Sequence, residues 1–457
     1  AAFSIENQIA KVSYDQVKSR DPQANYHPMT WDQFVKSYPG VDWNYLLKAS
    51  GYPNNGGKVD VGQPEPVHEV EKILATAPLD ALKAYMELAV ISSSAGMLSD
   101  NFTDRNFEYK KVAYGVQQQQ PRWKRALAFV QGIMGEAVGK LYVQKYFPES
   151  SKQRMITLVK NLQDAFAQRI EENTWMTAAT KKKAIEKLQA FDIKIGYPDK
   201  WQNMDSVFVI DDNKSLIENV KAVQEAAMKY RISKRWGKPV DKKEWHMTPQ
   251  TVNAYYDPTT NSINFPAAIL QPPFFVPTVD DAANYGAIGA VIGHEMSHGF
   301  DDQGCQFDKD GNMKNWWTEE DKKNYDARTK VLVDWFNKQE VIPGLYVNGE
   351  KTLGENIGDN GGLNIAFRAL ENSMKAKPLS DMDGFTPAQR FFLAWGRVWA
   401  SNVAPQFVAY IVNSDVHSPS ISRVNAALPM IDNWYKAFDI KEGDKLFVPQ
   451  ENRAHIW

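Results

Sequence analysis

Two histidines four residues apart stand in the segment Val291-Ile-Gly-His-Glu-Met-Ser-His-Gly-Phe300. On a helix, this spacing places His294 and His298 on one face about one turn apart, where both imidazoles can bind one tetrahedral metal ion. Glu295 lies beside them, close enough to take a proton from a water molecule at that ion. The pattern therefore predicts a hydrolytic metal centre; for the motif alone, the alternative is a chance match on a surface helix.

A catalytic zinc ion usually has three protein ligands, so the histidine pair requires a third ligand elsewhere in the chain. Glu355 is the candidate, within Thr352-Leu-Gly-Glu-Asn-Ile-Gly-Asp-Asn-Gly-Gly362. Asp359 lies four residues further on and would share its helical face, so it could accept a hydrogen bond from one ligand histidine. Asp301 could do the same for the other histidine. The alternative for Glu355 is a solvated carboxylate on a helix.

The predicted ligand set is two neutral imidazoles and one carboxylate, which is the arrangement of thermolysin-like zinc sites. In such a site the metal polarises the scissile carbonyl group, while Glu295 deprotonates the attacking water and later protonates the leaving amine. Thiolate ligation is excluded because Cys305 is the only cysteine, and the same count excludes an internal disulfide. We predict one zinc ion, since imidazole and carboxylate ligands on this motif favour zinc over manganese or cobalt.

The elements that hold these residues belong to a large chain. A length of 457 residues exceeds what one hydrophobic core usually supports, so we expect two lobes or one elaborated domain. Lys and Arg total 53 against 55 Asp and Glu, which offers no broad electrostatic footprint for nucleic acid. No apolar run reaches the roughly 20 residues needed to span a bilayer. The composition therefore predicts a globular protein without a nucleic-acid partner.

Apolar residues recur at intervals of three and four between residues 67 and 195, which predicts an all-α lobe. Later in the chain, residues 207–210 and 252–257 read as short strands, and residues 262–265 follow a turn as a hairpin partner. The sequence thus predicts a mainly α protein with a small antiparallel sheet in its catalytic lobe. We expect residues 1–60 to be a helical part of that lobe or a linker, residues 61–198 the second lobe, and residues 199–457 the zinc-binding lobe. The predicted helices are 67–77, 79–98, 122–147, 151–173 and 178–191.

Five blocks of the sequence carry a family resemblance through their order and spacing. They are residues 253–256, 263–275, 291–300, 354–362 and 417–423. Together they closely resemble the neprilysin and endothelin-converting enzyme family of zinc metallopeptidases, including its bacterial endopeptidase members. Weaker similarity at residues 25–30 and 195–199 extends the resemblance over nearly the whole chain. The resemblance implies a zincin-type fold of two mainly α-helical lobes enclosing a cavity, so that only small peptides are cut.

The resemblance also implies roles for residues outside the metal motif. His417 resembles the donor that stabilises the oxyanion of the transition state. Arg423 resembles the arginine that grips a backbone carbonyl group of the substrate. Asn253 and Ala254 resemble the edge segment that pairs with the main chain of a bound peptide. From the residues alone, His417 and Arg423 would be ordinary loop residues and Asn253 a residue at the end of a strand.

Several apolar residues match the positions that line the primed-side pocket of the family, although apolar residues at such spacing are more often plain core. If they line the pocket, the resemblance implies cleavage on the amino side of hydrophobic residues. The matching residues are Ile269, Phe274, Val291, Val398 and Trp399.

Two departures from the family pattern shape further expectations. Vertebrate members are rich in cysteine and end in Cys-x-x-Trp, whereas this chain has one cysteine and ends in Ala454-His-Ile-Trp457, which favours a bacterial member. The family also has a further N-terminal segment that this sequence does not include. We therefore expect a second N-terminal chain or fragment that completes the fold. Family habit implies a secreted, periplasmic or envelope-associated location, with a cytoplasmic bacterial form as the alternative.

Two other functions compete with peptide hydrolysis. A non-peptidase zinc hydrolase could use the same ligands, but the resemblance of residues 253–256 to a peptide-binding segment argues against it. A pseudoenzyme on the same fold would bind peptides without cutting them, and the intact Glu295 argues against that reading. The sequence therefore predicts a zinc metalloendopeptidase that acts on small peptides.

Overall fold

The computed structural model describes all residues from 1 to 457, of which 57% are helical and 6% lie in strands. None of its helices is both long and apolar enough to cross a membrane. The helices are α1 (Ala2–Val12), α2 (Trp31–Ser37), α3 (Trp43–Ala49), α4 (Pro64–Thr76), α5 (Leu79–Ser94), α6 (Asp100–Tyr114), α7 (Arg122–Tyr146), α8 (Glu149–Glu172), α9 (Ala178–Gln189), α10 (Leu216–Arg235), α11 (Asp281–Asn284), α12 (Ala290–His298), α13 (Glu319–Phe336), α14 (Leu353–Ala376), α15 (Pro387–Val398), α16 (Pro405–Ser414), α17 (Ser420–Asn425) and α18 (Asp432–Phe438). The strands are β1 (Pro28–Thr30), β2 (Lys58–Asp60), β3 (Asp192–Gly196), β4 (Tyr255–Asp257), β5 (Ser262–Pro266), β6 (Glu340–Ile342) and β7 (Leu345–Tyr346).

The helical periodicity of the sequence is realised in α4, α5, α7, α8 and α9, and the mainly α class is confirmed. The largest difference is at the end of α5, which stops at Ser94, while residues Ala95–Met97 form a separate 3-10 turn. A 3-10 turn is a common way to end an α-helix because its tighter hydrogen bonds satisfy the last carbonyl groups.

The central sheet differs in part from the prediction. Strand β4 pairs antiparallel with β5, as expected for the hairpin, but β3 pairs with β5 in parallel, so the sheet is mixed. A parallel partner comes from far along the chain, and no local turn signal announces it. Residues 207–210 are not a strand: Val207 is buried, whereas Val209 and Ile210 are exposed in a connecting segment. Strand-forming residue types without a partner strand leave the backbone irregular.

The chain divides into two compact units. The first unit contains residues 1–119 and 202–242, and the second contains residues 120–201 and 243–457. This division differs from the expected ranges, because α7, α8, α9 and β3 fall into the unit that carries the predicted metal ligands. Within residues 1–60, which were expected to be a helical part of the catalytic lobe or a linker, β1 and β2 form an antiparallel ribbon.

Helix α8 shows why residues of the expected helical lobe belong to the second unit. Its fully buried apolar side chains recur at intervals of three and four residues and form a continuous stripe. Through this stripe, α8 packs on α12 and α14. The residues of the stripe are Met155, Val159, Leu162, Phe166 and Ile170.

Helices α12 and α14 touch each other through glycine. A Cβ atom on Gly293 would lie 2.9 Å from the Cα atom of Gly362, and one on Gly362 would lie 2.4 Å from the carbonyl oxygen of Ala290. Backbone of one helix therefore lies directly on backbone of the other, which no larger residue at these positions permits. This contact fixes the distance between the two helices that carry the candidate ligands.

Candidate metal centre

The three predicted ligands converge in the structure. The Nε2 atoms of His294 and His298 lie 2.9 Å apart, and the Oε2 atom of Glu355 lies 3.2 Å from the first and 3.5 Å from the second. The histidines come from the buried helix α12 and the glutamate from the first turn of α14. Their ligand atoms all lie within 4.8 Å of one another, which a single metal ion can bridge.

Each imidazole is oriented by a carboxylate on its far side. The Nδ1 atom of His294 lies 2.9 Å from Asp359 Oδ1, and that of His298 lies 2.7 Å from Asp301 Oδ2. Because a carboxylate accepts, both Nδ1 atoms donate, and the lone pairs of both Nε2 atoms face the ligand cluster. Glu355 Oε2 is buried without a hydrogen bond of its own. Two imidazole lone pairs and an unbonded buried carboxylate oxygen form a donor set that fits zinc.

Charges within the cluster are strongly coupled. Burial and the neighbouring His298 oppose a charge on His294, but Asp359 and Glu355 outweigh them and raise the pKa of His294. Burial would likewise raise the pKa of Glu355, yet the imidazoles hold it well below its usual range. Glu295 is 6% exposed, and burial raises the pKa of its carboxyl group.

Asp359 has a second partner in Arg423. The guanidinium of Arg423 donates from Nε to Asp359 Oδ2 at 2.8 Å and from Nη2 to Oδ1 at 2.6 Å. Burial would raise the pKa of Asp359, but the facing guanidinium outweighs this effect and lowers it. The guanidinium also lies 3.8 Å from the ring centroid of Trp399. Arg423 is therefore fixed on two sides within the cluster.

His417 reaches the cluster from the loop between α16 and α17. Its Nε2 atom lies 3.2 Å from Glu355 Oε2, and its side chain is 43% exposed. Both its backbone N–H and its Nδ1 atom lie close to Asp415 Oδ1, at 2.9 and 2.8 Å. Sequence reasoning missed Asp415, although an aspartate two residues before a candidate histidine was a signal for such a pair.

Gly358 is a second residue of the site that was not predicted from the sequence. A Cβ atom at this position would lie 2.7 Å from the Cε1 atom of His294. The glycine falls between Glu355 and Asp359 on α14 and lets the imidazole lie flat against the helix. A glycine between two candidate carboxylates was the available signal.

The candidate substrate-binding residues lie in the second unit, and their roles stay predictions. Asn253 and Ala254 directly precede β4, an edge strand of the central sheet. The pocket candidates all belong to the main hydrophobic core or pack against it. Ile269 and Val291 are buried at 4% and 8% exposure, whereas Phe274, Val398 and Trp399 are partly buried.

A helix with a His-Glu-x-x-His motif, completed by a glutamate from a second helix, defines a zinc metallopeptidase. Comparison with known proteins agrees with this class. Two sequence profiles described as peptidase family M13 match residues 1–198 and 253–454. The chain therefore belongs to peptidase family M13 and has the zinc metalloendopeptidase character of that family.

Individual relatives extend the comparison over the whole chain. The neutral endopeptidase of Lactobacillus helveticus is 35% identical over 456 residues, which cover 100% of this chain and 68% of the relative. Human neprilysin is 32% identical, and the match covers 100% of this chain and 63% of neprilysin. The crystal structure of the Mycobacterium tuberculosis zinc metalloprotease Zmp1 in complex with an inhibitor superposes with a TM-score of 0.96 at 40% identity, covering 100% of this chain and 70% of that one. The predicted family resemblance and the zinc cofactor are confirmed.

Proposed function

We propose that this protein hydrolyses internal bonds of small peptides at the site formed by α12 and α14, with Glu295 as the general base. The observation that carries the proposal is the convergence of His294, His298 and Glu355. The buried Glu295 lies beside this group and is not one of the three candidate ligands. Bound zinc would supply Lewis-acid polarisation of the scissile carbonyl and acidify water. The raised pKa of Glu295 suits a group that accepts a proton from water and then delivers it to the leaving amine.

The loop and α17 would handle the substrate. We propose that His417, whose imidazole is partly exposed beside Glu355, donates to the oxyanion that develops on the attacked carbonyl oxygen. Arg423 has two donors on Asp359, and its guanidinium carries five N–H groups, so further donors stay available for a substrate carbonyl group. Asn253 and Ala254, before an edge strand, would pair with the peptide main chain.

For specificity, we propose cleavage on the amino side of hydrophobic residues. The support is the apolar character of the residues that match the primed-side pocket and their partial burial against the main core. Peptides with a large apolar residue after the scissile bond would bury it there, at about 1.5–3 kcal/mol per side chain. The candidates for contact are Ile269, Phe274, Val291, Val398 and Trp399.

We also propose that a second N-terminal chain or fragment covers apolar surface of the first unit. Met86 and Val90 on α5 are 65% and 62% exposed, and Tyr109 and Val112 on α6 are 65% and 82% exposed. Monomeric proteins rarely leave large contiguous apolar patches bare. Intact-mass analysis of active protein under denaturing conditions tests this proposal, because a non-covalent partner would appear as a second species.

For location, we propose a secreted, periplasmic or envelope-associated protein, and cell fractionation tests this.

The decisive experiment combines metal analysis with a random peptide library. We expect about one zinc ion per chain and products whose new amino-terminal residue is predominantly hydrophobic. A pseudoenzyme would instead bind peptides without releasing products, and a non-peptidase hydrolase would bind zinc without cutting any peptide of the library. Cleavage without side-chain preference would agree with the proposed peptidase activity but would refute the proposed hydrophobic pocket.

A further inference from the structure

A lysine is completely buried beneath the end of the metal-binding helix. Lys187, in the last turn of α9, is 1% exposed. Its Nζ atom donates to the carbonyl oxygens of Gly299, Gly304 and Phe307, each at 2.7 Å. Gly299 directly follows His298, the last residue of α12. The lysine therefore binds the carboxyl end of this helix and the segment 299–307 that follows it.

The surroundings of the Nζ atom suit a cation. Only the ammonium form carries three N–H donors for the three carbonyl groups. Three aromatic rings also surround it, since the ring centroids of Tyr256, Phe300 and Trp316 lie 5.8, 5.6 and 5.8 Å away. A cation at the carboxyl end of a helix is favoured by the helix dipole. Burial opposes the positive charge and lowers the pKa of Lys187 to about 7.

Hydrogen bonds connect the lysine to the candidate zinc ligand His298 through two residues, Gly304 and Asp301. The carbonyl group of Gly304 binds Lys187, while its N–H donates to Asp301 Oδ1 at 2.7 Å. The other oxygen of Asp301 accepts from His298 Nδ1 at 2.7 Å. A Cβ atom on Gly304 would lie 1.8 Å from the carbonyl oxygen of His298, so this segment folds back tightly against α12.

We propose that Lys187 is a positioning residue for the metal centre: it holds the segment 299–307 so that Asp301 orients the imidazole of His298 towards zinc. The inference rests on the proposed role of His298 as a zinc ligand. A lysine with a merely structural role would stabilise the second unit without affecting metal affinity. The two roles therefore differ in a measurable quantity.

The test compares two buried lysines that both donate to carbonyl groups of the second unit. Lys187→Met removes the ammonium and keeps a side chain of similar length. Lys194→Met is the matched control, because Lys194 is 7% exposed and donates to the carbonyl group of Glu244 at 3.0 Å, outside the segment 299–307. The dissociation constant of zinc is measured by chelator competition for the wild type and both variants, alongside thermal unfolding of the zinc-free proteins.

We expect Lys187→Met to raise the zinc dissociation constant about tenfold, at the lower end of the effect of removing a partner of a ligand. The Lys194→Met variant should keep the wild-type dissociation constant even if its thermal stability falls. At saturating zinc, KM of Lys187→Met should stay close to the wild-type value, because the residue lies behind the ligand rather than at the substrate. Unchanged zinc affinity in Lys187→Met, or an equal loss in Lys194→Met, would overturn the inference.

A measurement on the wild type covers the case in which Lys187→Met does not fold. If the lysine holds the segment without help from the metal, the amide hydrogens of Gln303 and Gly304 stay protected from exchange in the zinc-free protein. Loss of that protection on zinc removal would show that the metal orders the segment and would also overturn the inference. A wild type that binds no zinc would instead refute the proposed metal site itself.

Discussion

Imidazoles from two regions, helix α12 and the loop before α17, lie close to the Oε2 atom of Glu355, and the two regions hold them in different ways. On α12, His294 and His298 are oriented by Asp359 and Asp301, which are 1% and 4% exposed. In the loop before α17, His417 is oriented by Asp415, whose side chain is 44% exposed. Buried charges interact strongly, whereas exposed ones are screened by water and salt. The comparison indicates that the fold fixes the candidate metal ligands firmly, while His417, which we propose to face the substrate, is held by an interaction open to solvent.

The largest expected effect is that of replacing Glu295 on α12, which should abolish catalysis without abolishing metal binding. Glu295→Gln removes the proposed general base but no candidate ligand, so kcat should fall by several orders of magnitude while about one zinc ion per chain stays bound. Steady-state kinetics and metal analysis measure the two quantities. Glu319→Gln, on the surface of α13, is the matched control. Substantial activity in Glu295→Gln would refute the mechanism.

Glu355 is the candidate ligand that the imidazoles of both regions approach. Glu355→Ala should release zinc under a chelator challenge that the wild type withstands, because only two protein ligands remain. Activity should fall with metal content and be partly restored by excess zinc. Mass spectrometry of the metal after dialysis measures the loss. A stoichiometric ion that survives the chelator would exclude Glu355 as the third ligand.

Substitutions of His417 and Arg423 test the comparison directly. His417→Ala should lower kcat about 100- to 1,000-fold with little change in KM, since the donor acts mainly in the transition state. Arg423→Ala should raise KM at least as much as it lowers kcat, because we propose that the guanidinium also binds the substrate in the ground state. It should weaken zinc binding too, since Asp359 would lose its buried counter-ion. Identical kinetic signatures for the two variants would contradict their separate roles.

The smallest expected effect belongs to the exposed carboxylate. Asp415→Ala should lower kcat about tenfold and leave zinc affinity unchanged, because it orients an imidazole outside the ligand set. In the wild type, rising salt should weaken the Asp415–His417 interaction more than the buried Asp359–His294 interaction. The NMR signals of the hydrogen-bonded Nδ1 protons of both imidazoles, recorded at two ionic strengths, measure this difference. Equal salt sensitivity would remove the distinction between the two regions.

Helical spacing made most of the metal centre predictable. The interval of four residues predicts which side chains share a face, so it linked His294 with His298 and Glu355 with Asp359. The meeting of α12 with α14 was predicted from the requirement for a third ligand, and the family resemblance then supported it. The structure brings all four side chains together, with both rings bonded to the carboxylates that the spacing and chain order indicated.

Features that depend on distant parts of the chain were not predictable in the same way. Strand β3 lies within a helical stretch, and its partner β5 begins 70 residues later, so its parallel pairing carries no local signal. Lys187 reads as one of many helix lysines in a stretch rich in charged residues. Only the folded chain shows that three carbonyl groups from residues 299–307 surround its Nζ atom.

The contact between Gly293 and Gly362 has a consequence for metal selectivity and for protein engineering. Because the helix backbones touch there, the separation of α12 from α14 sets the radius of the cage formed by the two imidazoles and Glu355. Alanine at Gly362 would place a methyl group 2.4 Å from the carbonyl oxygen of Ala290 and force the helices apart. A wider cage would favour a larger divalent ion over zinc. The ionic radius that the site accepts should therefore respond to substitutions at two glycines that lie outside the candidate ligand set.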